Sequence, residues 1–235
     1  DGATFEIVSE PGLGLGDPLP RSLRAIIPFK GRLFTAPAVG QKRGEGMTAG
    51  RMTIVASADP ARGRWEFACQ PGFGDPSNLA ALSFAVFNGF LYAGTTNIRE
   101  GFQVWKTDAE GPPPFRWTKV LSHGAYRGRA NQLAMTLHPF RDHLYVGSGI
   151  QSGGYDIDNG VGPAAPEVIR VRADDTWELV VGEPRITPDG VKVPLSGLGP
   201  GFGNITAGYI WEMCEHDGWL YVGDAVWAMF MRYSD

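Results

Sequence analysis

Cysteine is almost missing: the 235-residue chain has two, Cys69 and Cys214. Two are too few for a disulfide framework, so a packed core must hold the fold. Both sit in strand-like segments and are expected to be buried free thiols. Runs of lysine and arginine are also missing. With 21 basic and 25 acidic residues the net charge is −4, and no basic stripe exists to follow a nucleic-acid backbone. No apolar stretch reaches the roughly 20 residues of a membrane-spanning helix. Charged residues make up 20% and apolar residues 43%, which excludes a disordered chain. The sequence opens at Asp1 rather than Met, so a processed start is expected, with a secreted or periplasmic location favoured over a cytoplasmic one.

Glycine and proline are plentiful instead, 33 and 18 residues, without a collagen period. That composition suits many short strands and tight turns. One unit recurs around such a turn: Phe29-Lys30-Gly31-Arg32-Leu33-Phe34, Phe87-Asn88-Gly89-Phe90-Leu91-Tyr92, Phe140-Arg141-Asp142-His143-Leu144-Tyr145 and His216-Asp217-Gly218-Trp219-Leu220-Tyr221. Asn-Gly and Asp-Gly between apolar residues mark two-residue hairpins, because both central residues need positive φ. A second unit follows each hairpin and carries an Asp: Thr53 to Asp59, Gln103 to Asp108, Glu167 to Asp174, Met229 to Asp235. Then Trp65, Trp117 or Trp177 opens another short strand. These tryptophans are expected to be structural and mostly buried.

Each repeat therefore reads as four strands, called here a, b, c and d. The pattern predicts an all-β fold, a β-propeller of four-stranded blades, with four blades visible in one domain over 1–235. The blades are expected at 22–69, 79–121, 131–181 and, in part, 208–235. The Asp turns resemble the Asp-box (BNR) and kelch-like repeats of the sialidase-like propellers, Ser/Thr-x-Asp-x-Gly-x-x-Trp. Ser57-Ala58-Asp59 with Gly63 and Trp65 is a longer version. Thr107-Asp108 with Gly111 and Trp117 is looser, and Asp174 to Trp177 lacks the Gly. Residues 5–9 repeat the pattern of strand d, as Trp65 to Cys69 do, so they are expected to close the last blade by pairing near Met229–Arg232. The ring is then either a closed four-bladed one or part of a six- to eight-bladed one.

Strand order puts the long segments, including 35–52, 148–166 and 182–208, on one rim, where ligand-binding residues concentrate on rigid scaffolds. Three loops share Pro-Gly-apolar-Gly: Pro11 to Gly14, Pro71 to Gly74 and Pro200 to Gly203. No helix follows them, so they read as turns and not as phosphate loops. Asp156-Ile157-Asp158-Asn159-Gly160 offers oxygens with a spacing that can hold Ca²⁺, or simply a polar turn. Strand a lines the axis, and alternation places Leu82, Phe84, Met135, Leu137, Trp211 and Met213 between blades. Ala25, Ser83, Ala85, Thr136, His138, Glu212 and Cys214 fall on the other face. Glu212 and His138 are the candidate acid/base pair there.

The sialidase resemblance implies an arginine triad, a Tyr activated by Glu, and an acid, and no complete set is visible. The leading expectation is thus a non-catalytic binding module. Its loop-rich rim, with Phe73, Arg99, Phe102, Tyr126, Arg127, Arg129, Tyr155 and Phe202, would face a protein partner, further blades or an extended ligand. The alternative is a glycan-active hydrolase or lyase with its site at the propeller axis. No cofactor other than Ca²⁺ is expected, carbohydrate is a candidate ligand, and nucleic acid is not.

Overall fold

The computed structural model describes residues 2–15, 20–39 and 52–227. Strands dominate it. Blade 1 runs β1 (Pro20–Phe29), β2 (Arg32–Val39), β3 (Val55–Asp59) and β4 (Arg64–Phe67). Blade 2 follows with β5 (Asn78–Phe87), β6 (Phe90–Asn97), β7 (Val104–Thr107) and β8 (Thr118–Leu121). Blade 3 has β9 (Leu133–Phe140), β10 (His143–Gly149), β11 (Val168–Arg172) and β12 (Trp177–Val181). A small hairpin, β13 (Arg185–Thr187) and β14 (Gly190–Lys192), precedes β15 (Ala207–His216) and β16 (Trp219–Val226) of blade 4. Within each blade consecutive strands pair antiparallel, and single bridges, Thr96 to Leu133 and Gly149 to Tyr209, link one blade to the next. The fold is a β-propeller. The expected third strand of blade 4, Met229–Asp235, lies outside the described residues.

The hairpins form where the sequence places them. Phe29 pairs Arg32, Phe87 pairs Phe90, Phe140 pairs His143 and His216 pairs Trp219. Lys30, Asn88, Arg141 and Asp217 all hold the left-handed conformation that a two-residue hairpin demands. The turns from strand c to strand d are closed by their polar residues. Ser57 Oγ accepts the Asp59 N–H, Thr107 Oγ1 that of Ala109, and Asp174 Oδ1 that of Thr176.

Blades stack face to face. Around the axis β1 packs on β5, β5 on β9 and β9 on β15. Phe29, Phe34, Ile54 and Ala56 of blade 1 meet Ala81, Leu91 and Ala93 of blade 2 in one apolar cluster. Phe87, Tyr92 and Val104 of blade 2 meet Leu137, Leu144 and Ile169 of blade 3 in a second. Val168 and Val181 meet Ile210 and Met213 in a third. Here the structure corrects the sequence reading of strand a. Ala85, assigned to an axial face, belongs to the blade 2–blade 3 cluster, so both faces of β5 pack against neighbours.

The Pro-Gly-apolar-Gly loops are one recurring device. Gly12-Leu13, Gly72-Phe73, Gly124-Ala125 and Gly201-Phe202 each place two successive residues in the left-handed region. The Gly72, Gly124 and Gly201 amides donate to the Met52, Phe102 and Pro166 carbonyls at 2.7, 2.9 and 2.7 Å. The turn so fixed drives the next side chain towards the following blade. Phe73 stacks on Trp105 at 4.6 Å and meets Trp117 at 5.1 Å. The third copy has Ser122-His123-Gly124-Ala125 in place of the Pro-Gly signature, which hid it from the sequence reading. At Gly124 a Cβ would come within 2.6 Å of the Asn131 carbonyl oxygen, so glycine is obligatory there.

Residues 5–9 are exposed and lie outside any strand. Their expected partner near Met229–Arg232 lies outside the described residues. Among the expected structural tryptophans, Trp177 is buried, whereas Trp65 and Trp117 are part-buried. Trp177→Ala should therefore destabilise the protein by about 3–5 kcal/mol in urea unfolding, as for large aromatic truncations. Trp65→Ala should cost clearly less, and equal losses would contradict this difference in packing.

Candidate functional site

The loop-bearing rim is built on buried polar nodes. In blade 2, Asn78 donates to the Gly72 carbonyl and to Gln103 Oε1, both at 2.9 Å. Thr95 Oγ1 donates to Asn78 Oδ1 at 3.2 Å and accepts the Gln103 N–H at 2.9 Å. Blade 3 repeats this with Asn131, Ser148 and Glu167. Asn131 donates to the Gly124 carbonyl at 3.0 Å and to Glu167 Oε2 at 2.7 Å. Ser148 donates to Asn131 Oδ1 and accepts the Glu167 N–H, both at 2.8 Å. These side chains satisfy backbone groups where the sheet ladder ends, which a buried rim must do somehow.

The two nodes differ in charge. Glu167 is fully buried, and Arg185 grips it with Nη1 to Oε1 at 2.9 Å and Nη2 to Oε2 at 2.8 Å. The Glu183 N–H donates to Oε1 at 2.8 Å, and Arg127 Nε stands 3.5 Å away. Arg185 also donates from Nε to the Ala125 carbonyl at 2.8 Å, and its guanidinium lies 5.9 Å from the Trp177 ring centre. One buried carboxylate thus ties the β13–β14 hairpin, blade 3 and the loop before β9 together. Tyr126 lies over Trp177 at 6.4 Å and beside His123 at 5.7 Å. Gln103 in the blade 2 node is neutral, and its Nε2 instead donates to Asp75 Oδ2 at 2.8 Å.

A ledge of aromatic rings lies at the seam of blades 3 and 4. Gln132 Oε1 accepts the Gln151 N–H at 2.9 Å, and Gln132 Nε2 donates to Asp156 Oδ2 at 2.8 Å. Those bonds fold the loop after β10 inward. Its Gly153 N–H donates to the Tyr209 hydroxyl at 2.6 Å. Gly208 lies so close to the Gly153 backbone that any side chain there would overlap it. Trp227 borders Gly153 and Gly154, and Tyr209 and Trp211 have ring centres 5.7 Å apart. Burial pushes the Tyr209 phenol above its usual pKa, with the Gly153 N–H acting the other way. Tyr155, Trp211 and Phe202 are exposed.

The residues singled out from the sequence are distributed unevenly. Tyr126, Arg127, Arg129 and Tyr155 gather over blade 3. Arg129 Nη2 donates to the Asn159 carbonyl and Arg127 Nη1 to that of Ala165. Arg99 is exposed on the rim of blade 2. Phe102 is fully buried in the core between blades 2 and 3, and Phe73 is part-buried on its tryptophans. Glu212 and His138 share no hydrogen bond or ion pair among the described residues. Glu212 is exposed on β15, and its Oε1 takes only the Met213 N–H at 3.2 Å.

In the candidate Ca²⁺ loop, Asp156 is buried. Its oxygens accept from Gln132 and from Asn159 Nδ2 at 2.8–3.0 Å. Asp158 and Asn159 are exposed. Among the described residues no three His, Cys, Asp or Glu side chains come together as a metal site. The arrangement is a polar turn closed by amides. Sequence reasoning missed Tyr209, Trp227, Glu167 and Arg185. The one available signal was the recurrence of Asn78 and Asn131 ahead of strand a.

No family model and no curated protein matches this chain. Solved structures do. A Bacteroides ovatus structure titled xyloglucan PUL GH43B aligns with TM-score 0.40 and 15% identity, over 84% of this chain and 41% of that one. A Bombyx mori GH32 β-fructofuranosidase gives 0.41 and 13%, over 84% and 40%. An endo-arabinase from Bacteroides thetaiotaomicron gives 0.40 and 13%, over 79% and 65%. The chain thus spans about two fifths of the first two. These titles go against the leading expectation from sequence, a non-catalytic module facing a protein partner. The burial of Phe102 and the packing of part-buried Phe73 on Trp105 and Trp117 remove two of its supposed anchors. That reading is withdrawn. No described helix is long and apolar enough to cross a membrane.

Glu167→Gln tests the polar node directly. It leaves two guanidinium groups beside a neutral amide, and should cost about 3–5 kcal/mol, as when one partner of a buried pair is removed. A loss below about 1 kcal/mol in urea unfolding would show that the hairpin clamp carries no stability.

Proposed function

We propose that this propeller acts on carbohydrate, and that the sugar lies across the seam of blades 3 and 4 on the loop-bearing rim. The observation that carries this reading is the ledge itself. The rings of Tyr209 and Trp227 rest on the loop backbone at Gly153, Gly154 and Gly208, with Gln132 and Asp156 buried behind, and Trp211 beside Tyr209 and Tyr155 after Gly154 are exposed. A pyranose or furanose has apolar C–H faces and a polar hydroxyl edge. Aromatic rings match the first, and their polar tips, such as the hydroxyl of exposed Tyr155, match the second. The glycines let the loop pack closely against β15 and Trp227.

Hydrolysis of a glycosidic bond is the reaction we propose to test for. It divides the work between two carboxyl groups on opposite sides of the bond. The titles of two of the matched structures name an endo-arabinase and a β-fructofuranosidase. A carbohydrate ligand also suits a secreted or periplasmic setting.

Affinity electrophoresis in gels containing soluble polysaccharides, with reducing-sugar release in parallel, tests the reading. At least one plant or bacterial polysaccharide should retard the protein. Tyr155→Ala and Trp227→Ala should each weaken that retardation about tenfold or more, the scale of an aromatic anchor. Tyr155→Ala should do so at an unchanged unfolding midpoint. Retardation by no polysaccharide, or retardation of both variants equal to that of the unaltered protein, would overturn it.

A further inference from the structure

The left-handed turn ahead of blade 3 departs from its three copies. In those copies the first residue is Pro and the fourth is Gly: Pro11 and Gly14, Pro71 and Gly74, Pro200 and Gly203. His123 and Tyr126 stand in these places here. Gly14, Gly74 and Gly203 take positive φ with no side chain to resist it. His123, Gly124, Ala125 and Tyr126 run at φ 53, 57, 53 and 64°. Three side chains thus hold a conformation that L residues resist, where each other copy has one. The surroundings keep them there. The Gly124 amide donates to the Phe102 carbonyl at 2.9 Å, and Asn131 and Arg185 donate to the Gly124 and Ala125 carbonyls at 3.0 and 2.8 Å. What the strained turn achieves is a stack of three rings. Trp177 is 4% exposed, Tyr126 above it 37%, and the His123 side chain at the outer end 54%. Tyr126 lies 12° from the Trp177 plane, and His123 lies 27° from that of Tyr126.

We propose that His123 and Tyr126 form a second sugar platform on the rim, and that the ligand is a neutral polysaccharide long enough to lie on both this platform and the ledge. This rests on the carbohydrate reading above and adds the charge and reach of the ligand. Two nearly parallel exposed rings offer flat apolar surface to the C–H face of a sugar. Backbone strain that keeps them so arranged in the free protein is pre-organisation. The charged groups beside the rings favour hydroxyls over carboxylates. Glu100 Oε2 lies 3.8 Å from His123 Nε2, Glu183 Oε2 lies 3.7 Å from Arg127 Nε, and both carboxylates are more than half exposed. Arg127 and Arg185 are already engaged by the Ala165 and Ala125 carbonyls and by Glu167. Exposed acceptors with occupied cations take sugar hydroxyls and repel a uronate. Arg129, three residues after Tyr126, donates to the Asn159 carbonyl in the loop that carries Tyr155. Platform and ledge loop are therefore joined over the same blade.

Affinity electrophoresis in galactomannan, laminarin, hydroxyethylcellulose and polygalacturonate separates the platform from the ledge. Reductant in the gels prevents dimers through Cys214, which is exposed and not buried as its strand pattern led us to expect. His123→Gly removes the outer ring and suits the positive φ, so the urea midpoint should stay level or rise. Retardation by a neutral polysaccharide should nonetheless fall roughly fivefold or more, and Tyr155→Ala should weaken retardation by the same polysaccharide. His123→Phe keeps a flat ring and should retain the retardation. Full retardation of His123→Gly, with loss in Tyr155→Ala, would overturn the platform and leave the ledge standing. A lowered midpoint in His123→Gly would mark the residue as structural, and would also overturn the platform. So would equal losses in His123→Phe and His123→Gly, or dependence on His123 in polygalacturonate alone. Retardation of the unaltered protein by none of the four would count against platform and ledge together.

Discussion

Everything in this protein depends on sheets that are apolar on both faces. β6 shows the constraint most plainly. Seven of its eight residues, Leu91 to Asn97, are buried, so neither side of the strand can meet water. Such a sheet is stable only between two others, and its register is fixed by both. The face of Tyr92 fills one interface and the face of Leu91 fills the next. Each blade lends its neighbour half a core. The clusters between blades are the units of stability, and the blades themselves are only the walls.

Short turns make that stacking possible. The paired left-handed residues at Gly72-Phe73 and Gly201-Phe202 reverse the chain between one blade's outer strand and the next blade's inner strand. A non-glycine residue in this conformation costs about 1–2 kcal/mol, and the hydrogen bond that the preceding glycine N–H donates to the neighbouring carbonyl offsets it. The polar nodes complete the job by capping the ladder beneath each turn. Blade 3 differs from blade 2 in replacing Gln103 with Glu167. That single change brings Arg185, the β13–β14 hairpin and Arg127 onto the rim. The loop after β10 then takes up the inner side of the same blade and supplies the ledge.

Much of the architecture was legible in the sequence. Hairpins announce themselves through Lys30-Gly31, Asn88-Gly89 and Asp217-Gly218, because local backbone chemistry decides them. The tryptophans and Asp turns give the outer strands for the same reason. The ledge was not legible. Tyr209 and Trp227 flank Gly153 only because β10 and β15 come from adjacent blades, and no local pattern encodes that meeting. Phe102 was misplaced on the rim because a loop aromatic reads the same whether it faces solvent or core. The partnership of Glu167 with Arg185 depends on a hairpin whose exposed apolar residues, Ile186 and Val191, carry no packing signal of their own.

Native-state hydrogen exchange tests the dependence of each blade on both neighbours most directly. On this account the amides of β6 and β10, which are covered on both faces, exchange only through global unfolding. Those of β16 in the 235-residue chain exchange through cheaper local opening, at least about tenfold faster under the same conditions. The β2 amides, where Phe34, Thr35 and Ala36 are buried on both faces, should exchange as slowly as those of β6 and β10. Uniform protection across β2, β6, β10 and β16 would contradict the account, because it would mean that a blade holds its structure without a sheet on either side.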